Sequence, residues 1–156
     1  LIITSIIESE TKQLLEFFAS ANVDFEKIYI KEHHLFKVEQ VIKSSIKNFP
    51  SYEIITGNMS EAFNCSDIVY TANGSSVLLE SVISKKQTIS VISLSSLPIP
   101  AIDKAPNLHF VFDAKSLSKI LKKLTNEPVD LVVDERNSNY LYLNNNLNLW
   151  KDFLNK

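Results

Sequence analysis

Two short stretches concentrate the residues able to do chemistry. One is Lys31-Glu32-His33-His34; the other is Asn73-Gly74-Ser75-Ser76, with Glu80 following on the same segment. A histidine where a strand ends can donate to a phosphate or move a proton, because its imidazole titrates near neutrality. A glycine followed by two serines at the start of a helix offers a sharp turn, close backbone approach, outward-facing amides and two hydroxyls. The amides expected to face outward are those of Ser75, Ser76 and Val77, and a diphosphate is their natural guest. Glu80 stands one turn beyond Ser76 on the same helix face, so its carboxylate can accept from ribose hydroxyls beside that phosphate.

Each of these residues also has a plainer role open to it. Asn73 or Ser75 can simply cap a helix, which contributes about 1 kcal/mol. Glu80 can pair in solvent with Lys85 or Lys86, and His33 and His34 can form an ordinary surface pair. Alternation along the strand is expected to place Lys31 and His33 on one side, Glu32 and His34 on the other. No metal site is expected, because adjacent histidines chelate poorly and neither His109 nor the sole cysteine, Cys65, stands at ordinary ligand spacing. The only glycines are Gly57 and Gly74. There is no G-x-G-x-x-G after the first strand, no Walker A sequence, no G-x-S-x-G elbow and no C-x-x-C, so glycine-rich dinucleotide sites are excluded.

The elements that must hold these residues alternate between two periods. Apolar, β-branched runs predict strands at Leu1 to Ile7, Lys27 to Lys31, Tyr52 to Thr56, Asp67 to Thr71, Gln87 to Ile92 and Leu108 to Phe112. Between them, helical spacing predicts a helix over Glu10 to Ala21 and another after His34, carrying Val38, Val41 and Ile42. Further helices are expected around Ser60 to Asn64 and from Asn73 to about Ser84. A last clear one has Asp113 as cap and Leu117, Ile120, Leu121 and Leu124 as its apolar stripe. Pro98, Pro100 and Pro106 mark a loop, and Leu143, Leu147, Trp150 and Leu154 suggest a closing helix. Such alternation predicts an α/β fold: a Rossmann-like, doubly wound parallel sheet of about six strands with helices on both faces, in a single domain over residues 1–156. With strand order 3-2-1-4-5-6, ligands bind outside the carboxyl ends of the first and fourth strands. The segments bordering that crevice are Glu8 to Thr11 and Ala72 to Ser76, with His33 and His34 beside them, and Thr11 joins the candidates there.

Composition narrows the function classes. The chain has 156 residues, 45% of them hydrophobic and 22% charged, which is ordinary for a folded domain. A net charge of −2 provides no basic field for nucleic acid. Lys115, Lys119, Lys122 and Lys123 leave peripheral contact with a membrane open, although a solvated helix face accounts for them better. No apolar run approaches the roughly 18 residues of a membrane span. One cysteine and no visible signal peptide suggest a cytoplasmic setting. The chain opens on Leu1-Ile2-Ile3, inside an apolar run and without methionine, so a fragment of a longer chain is expected.

Lys31-Glu32-His33-His34, followed by Asp67-Ile68-Val69-Tyr70-Thr71-Ala72-Asn73-Gly74-Ser75-Ser76-Val77-Leu78-Leu79-Glu80, resembles the carboxyl-terminal half of GT-B glycosyltransferases. The likeness is greatest to bacterial surface-polysaccharide enzymes of the polysialyltransferase and glycerophosphotransferase type, and it covers roughly Leu1 to Leu124. Those enzymes carry K-x-H-P on one strand and T-x-S-S or G-S-S before a glutamate on another; His34 stands here where they have proline. The resemblance implies phosphate contacts for His33, Ser75 and Ser76, and ribose contact for Glu80. It implies a nucleotide-sugar donor (CMP-, UDP- or dTDP-linked) as substrate, no separate cofactor, and a partner half on the amino-terminal side that carries the acceptor and usually the catalytic base. No general base is therefore assigned. A UDP-N-acetylglucosamine 2-epimerase-like half, or a non-catalytic Rossmann-like assembly module, would share the same fold.

Overall fold

The structure is a computed structural model that describes residues 1–35, 37–92 and 105–126. The expected closing helix and the loop prolines Pro98 and Pro100 lie outside the described residues. In chain order the elements are β1 (Ile2–Ile3), α1 (Glu8–Ala21), β2 (Tyr29–Lys31), α2 (Val38–Ser45), β3 (Glu53–Ile54), α3 (Met59–Asn64), β4 (Ile68–Ala72), α4 (Val77–Ile83), β5 (Gln87–Val91), β6 (Leu108–Val111) and α5 (Ala114–Asn126). The six strands form one sheet in the order β3-β2-β1-β4-β5-β6. Every pairing is parallel. The chain thus works outward from β1 to β3, returns to the middle, and works outward again from β4 to β6. Its order reverses between β1 and β4.

Register divides the side chains between two faces. Ile30, Ile2, Tyr70 and Ile89 are matched in a row across β2, β1, β4 and β5. That row packs against Leu14, Leu15 and Phe18 of α1 and Leu117, Leu121 and Leu124 of α5, and Val38 and Val41 of α2 belong to the same cluster. On the opposite face, Ile3 and Val69 meet Phe63 of α3, while Leu78 and Val82 of α4 meet Leu108. These positions, alternating with the first set along each strand, place α3 and α4 across the sheet from α1, α2 and α5. A doubly wound, Rossmann-like α/β sheet results. Among the described residues no helix is long and apolar enough to cross a membrane.

Most boundaries shift by one or two residues, and three differ more. The strand expected over Leu1 to Ile7 ends at Ile3. The Ser5 hydroxyl accepts from the Ile7 amide at 3.1 Å, bending the chain out of the ladder. Ile6 and Ile7 are left 56% and 50% exposed. The third strand shrinks to Glu53–Ile54, both exposed at the sheet edge. The helix expected from Asn73 starts at Val77, because Asn73, Gly74, Ser75 and Ser76 form a turn before it.

Candidate functional site

At the carboxyl end of β1 the chain is tied down by a buried polar knot. The Ser5 amide donates to Thr11 Oγ1 at 3.1 Å, and the same hydroxyl donates back to the Ser5 carbonyl at 3.0 Å. The Ser5 hydroxyl donates to Glu10 Oε2 at 2.6 Å. Thr11 is 0% exposed and belongs to the first turn of α1. Its hydroxyl is engaged on both sides, so Thr11 positions the β1–α1 connection and does not reach the crevice.

At the end of β2, the His33 amide donates to Thr4 Oγ1 at 2.8 Å, so β1 itself fixes where His33 emerges. His33 Nδ1 accepts from the Leu35 amide at 3.3 Å. A neutral imidazole that accepts at Nδ1 carries its proton on Nε2, which makes Nε2 a donor toward an incoming oxyanion. The expected alternation of His33 and His34 does not hold: β2 ends at Lys31, and the two rings lie together with centroids 4.2 Å apart. Lys31 turns toward the sheet edge, donating through Nζ to the Gly57 carbonyl at 2.7 Å. Glu32 takes a structural task, accepting the Val38 amide at 2.8 Å at the start of α2.

The turn after β4 completes this edge. Gly74 and Ser76 are exposed and Ser75 is half-buried. Of the three amides expected to face outward, two have partners inside the chain. Val77 N donates to Ser75 Oγ at 3.3 Å, and Ser75 N donates to the Ala72 carbonyl at 3.4 Å. Ser76 N makes no hydrogen bond among the described residues. α4 is only seven residues long, so its dipole is weak and the local donors matter more. Gly74 does not adopt a left-handed conformation. The turn therefore does not demand glycine, but a Cβ there would meet nothing within 4 Å, so the backbone is open to close approach. Glu80 is exposed one turn further on, and its carboxylate forms no ion pair with Lys85 or Lys86. Lys86 instead donates to the Ser66 carbonyl at 2.9 Å.

Asn73 differs from its neighbours. It is 1% exposed, yet among the described residues neither Nδ2 nor Oδ1 has a hydrogen-bond partner. Unpartnered buried polar atoms cost about 1–3 kcal/mol each, so they are retained where something other than stability requires them. The sequence offers Asn73 both as a candidate nucleotide-binding residue and as a plain helix cap. Its burial could not be foreseen, because it arises where distant segments meet: the Asn73 amide donates to the Val91 carbonyl of β5 at 3.1 Å.

A separate cleft of about 690 Å³ opens at the opposite, amino end of the sheet, lined by Phe18, Phe25, Lys27, Tyr70 and Leu121 among others. Parallel sheets bind ligands at the carboxyl ends of their strands, and the floor of this amino-end cleft is the apolar core itself. His33, Gly74, Ser75 and Ser76 sit at the carboxyl end, next to the reversal between β1 and β4, and Glu80 extends from it. Compared with protein families, curated proteins and solved structures, the chain gives no match in any of the three.

Proposed function

We propose that this domain binds the nucleotide-sugar donor of a GT-B type glycosyltransferase acting in surface-carbohydrate synthesis. The observation that carries the reading is that His33, just after β2, and the exposed Gly74-Ser75-Ser76 turn, just after β4, flank the end of β1 beside the point of strand reversal. His33 Nε2, the Ser76 amide and the two serine hydroxyls supply donors for a diphosphate or phosphate. Glu80 stands beyond them for the ribose. As the sugar leaves, negative charge grows on the departing nucleotide, and donors already fixed in place stabilise it without reorganisation.

A second observation supports a partner half on the amino-terminal side. Ile6, Ile7, Leu35, Ile54 and Phe112 are 41–65% exposed. All five follow or end strands at the carboxyl edge of the sheet: after β1, β2 and β6, and at the end of β3. Apolar side chains gathered around one rim mark a surface meant to be covered, and a second α/β half closing over the donor is the cover this reading requires.

Titration calorimetry with UDP, CMP, GDP and dTDP tests the proposal. One of the four is expected to bind, and Ser75→Ala with Ser76→Ala, or His33→Ala, is expected to weaken it about tenfold or more, the range for losing charge-assisted hydrogen bonds. Binding by none of the four overturns the reading.

A further inference from the structure

We propose that Asn73 and Ser90 form a subsite for vicinal hydroxyls of the ligand, beneath the turn that bears Ser75 and Ser76. The inference rests on the nucleotide-sugar reading above and names what that site holds on its inner side. Asn73 is 1% and Ser90 0% exposed, and Asn73 Nδ2, Asn73 Oδ1 and Ser90 Oγ all lack hydrogen-bond partners among the described residues. The two residues are neighbours. Ser90 is matched with Thr71 across β4 and β5. The Asn73 amide donates to the Val91 carbonyl at 3.1 Å. The ladder therefore runs one residue past β4, and alternation keeps Asn73 on the face that carries Thr71 and Ser90.

The rest of that face shows what satisfied polar groups look like in the same setting. Thr71 Oγ1 donates to the Ile3 carbonyl at 3.3 Å. Thr88 Oγ1 pairs with Ser81 Oγ at 3.0 Å, and Asn107 Nδ2 donates to the carbonyls of Val82 and Lys86 at 3.0 and 2.8 Å. Pairing stops toward the carboxyl end, where the candidate site lies. Gln87 Nε2, at the other end of β5, is a further unpartnered atom, but its Oε1 is held by His109 at 3.0 Å.

Chemistry selects the group that fits. A carboxamide offers donors on Nδ2 and an acceptor on Oδ1, and a hydroxyl offers both. A phosphate only accepts, so it would confront Oδ1 with another acceptor. Adjacent hydroxyls of a ribose or of the transferred sugar both donate and accept, and satisfy all three atoms. Gly74, beside Asn73, borders open space. The division is then phosphate on the outer donors and hydroxyls on the inner pair.

The test compares the native chain with Asn73→Leu and with Ser90→Ala, by calorimetric titration and by thermal melting without ligand. The probes are pyrophosphate, UDP, CMP, UDP-glucose and CMP-N-acetylneuraminate. Asn73→Leu is expected to leave pyrophosphate binding within twofold and to weaken hydroxyl-bearing probes about tenfold, with Ser90→Ala weaker in the same direction. Loss shared by a nucleotide and its sugar conjugate assigns the subsite to ribose; loss for the conjugate alone assigns it to the transferred sugar. Without ligand, Asn73→Leu is expected to melt at or above the native temperature. A melting point several degrees lower makes Asn73 a structural residue and overturns the proposal. Nucleotide binding that Ser75→Ala with Ser76→Ala abolishes, but that Asn73→Leu and Ser90→Ala leave intact, removes this proposal alone. Failure of every probe on the native chain removes the donor-site reading and this subsite with it.

Discussion

The two faces of the sheet are built on different terms. Toward α1, α2 and α5 the strands present Ile2, Ile30, Tyr70, Ile89, Val91 and Val111, all at most 4% exposed and joined in one apolar cluster. Tyr70 is the polar exception, and its hydroxyl donates to the Leu14 carbonyl at 3.1 Å. Burial holds that phenol well above its ordinary pKa, so it stays neutral. Toward α3 and α4, β4 and β5 present Val69, Thr71, Thr88 and Ser90, three of them hydroxylated and all 0% exposed. A face made of Leu, Ile and Phe gains stability in proportion to the apolar area it removes from water. A face of small hydroxylated residues gains less and must pair its polar atoms. The first face holds the fold together. The second, thinner in apolar area, borders the site.

That contrast can be broken or sharpened by measurement. Leu14→Ala, which opens a cavity in the apolar face, is expected to lower stability by about 2–5 kcal/mol, read as a shift in the urea midpoint. A loss no larger than that of a change on the other face would undo the distinction. Thr88→Val removes the bonds to Ser81 Oγ and the Lys86 carbonyl. It keeps the shape, and Ser81 can still donate to the Leu78 carbonyl, so a loss of about 1 kcal/mol is expected in the same assay.

A smaller effect should follow pH. His109 lies at the edge of the apolar face, where burial, and then the ammonium of Lys123, holds its imidazole below the ordinary value of 6.5. Between those two values the unfolded chain binds more protons than the native one. Stability is therefore fully present above about pH 6.5 and declines as pH falls through the lowered native pKa. Melting curves from pH 7.5 to 5 should show this decline in the native chain and a reduced decline in His109→Gln. Last, Ser90→Ala deletes a buried hydroxyl that has no partner among the described residues, and stability should hold or rise, by up to about 1 kcal/mol. A clear loss would place Ser90 in a hydrogen-bonded network and erase its difference from Thr88.

Much of the fold was legible before the structure. The stripe of Leu117, Leu121 and Leu124 lies buried on α5, and Asp113 Oδ1 accepts the Ser116 amide at 2.7 Å at its start. Those features are local: a helical period and a side chain three residues from the amide it caps. The parallel sheet followed from strands separated by helices too long for hairpins, and its observed order is the one that puts the site's crevice between β1 and β4. Extent was less legible. Leu1 to Ile7 has the composition of one buried strand, and only the Ser5 hydroxyl, set among Ile7, Glu10 and Thr11, ends it at Ile3.

At the candidate site the division is sharper. Residue type alone identified His33, Ser75 and Ser76 as groups able to meet a phosphate, and Gly74 as a point of close approach. Period and order alone assigned them to strand ends and a turn. Whether a polar side chain has a partner is another kind of question, since it is set by residues far away in sequence. Thr11 turned inward to Ser5, Lys31 reached across to Gly57, and Asn73 was enclosed with both amide atoms unpaired among the described residues. Hydrophobic period and turn chemistry act over a few residues and can be read along the chain; burial and hydrogen-bond satisfaction arise only when distant strands and helices meet.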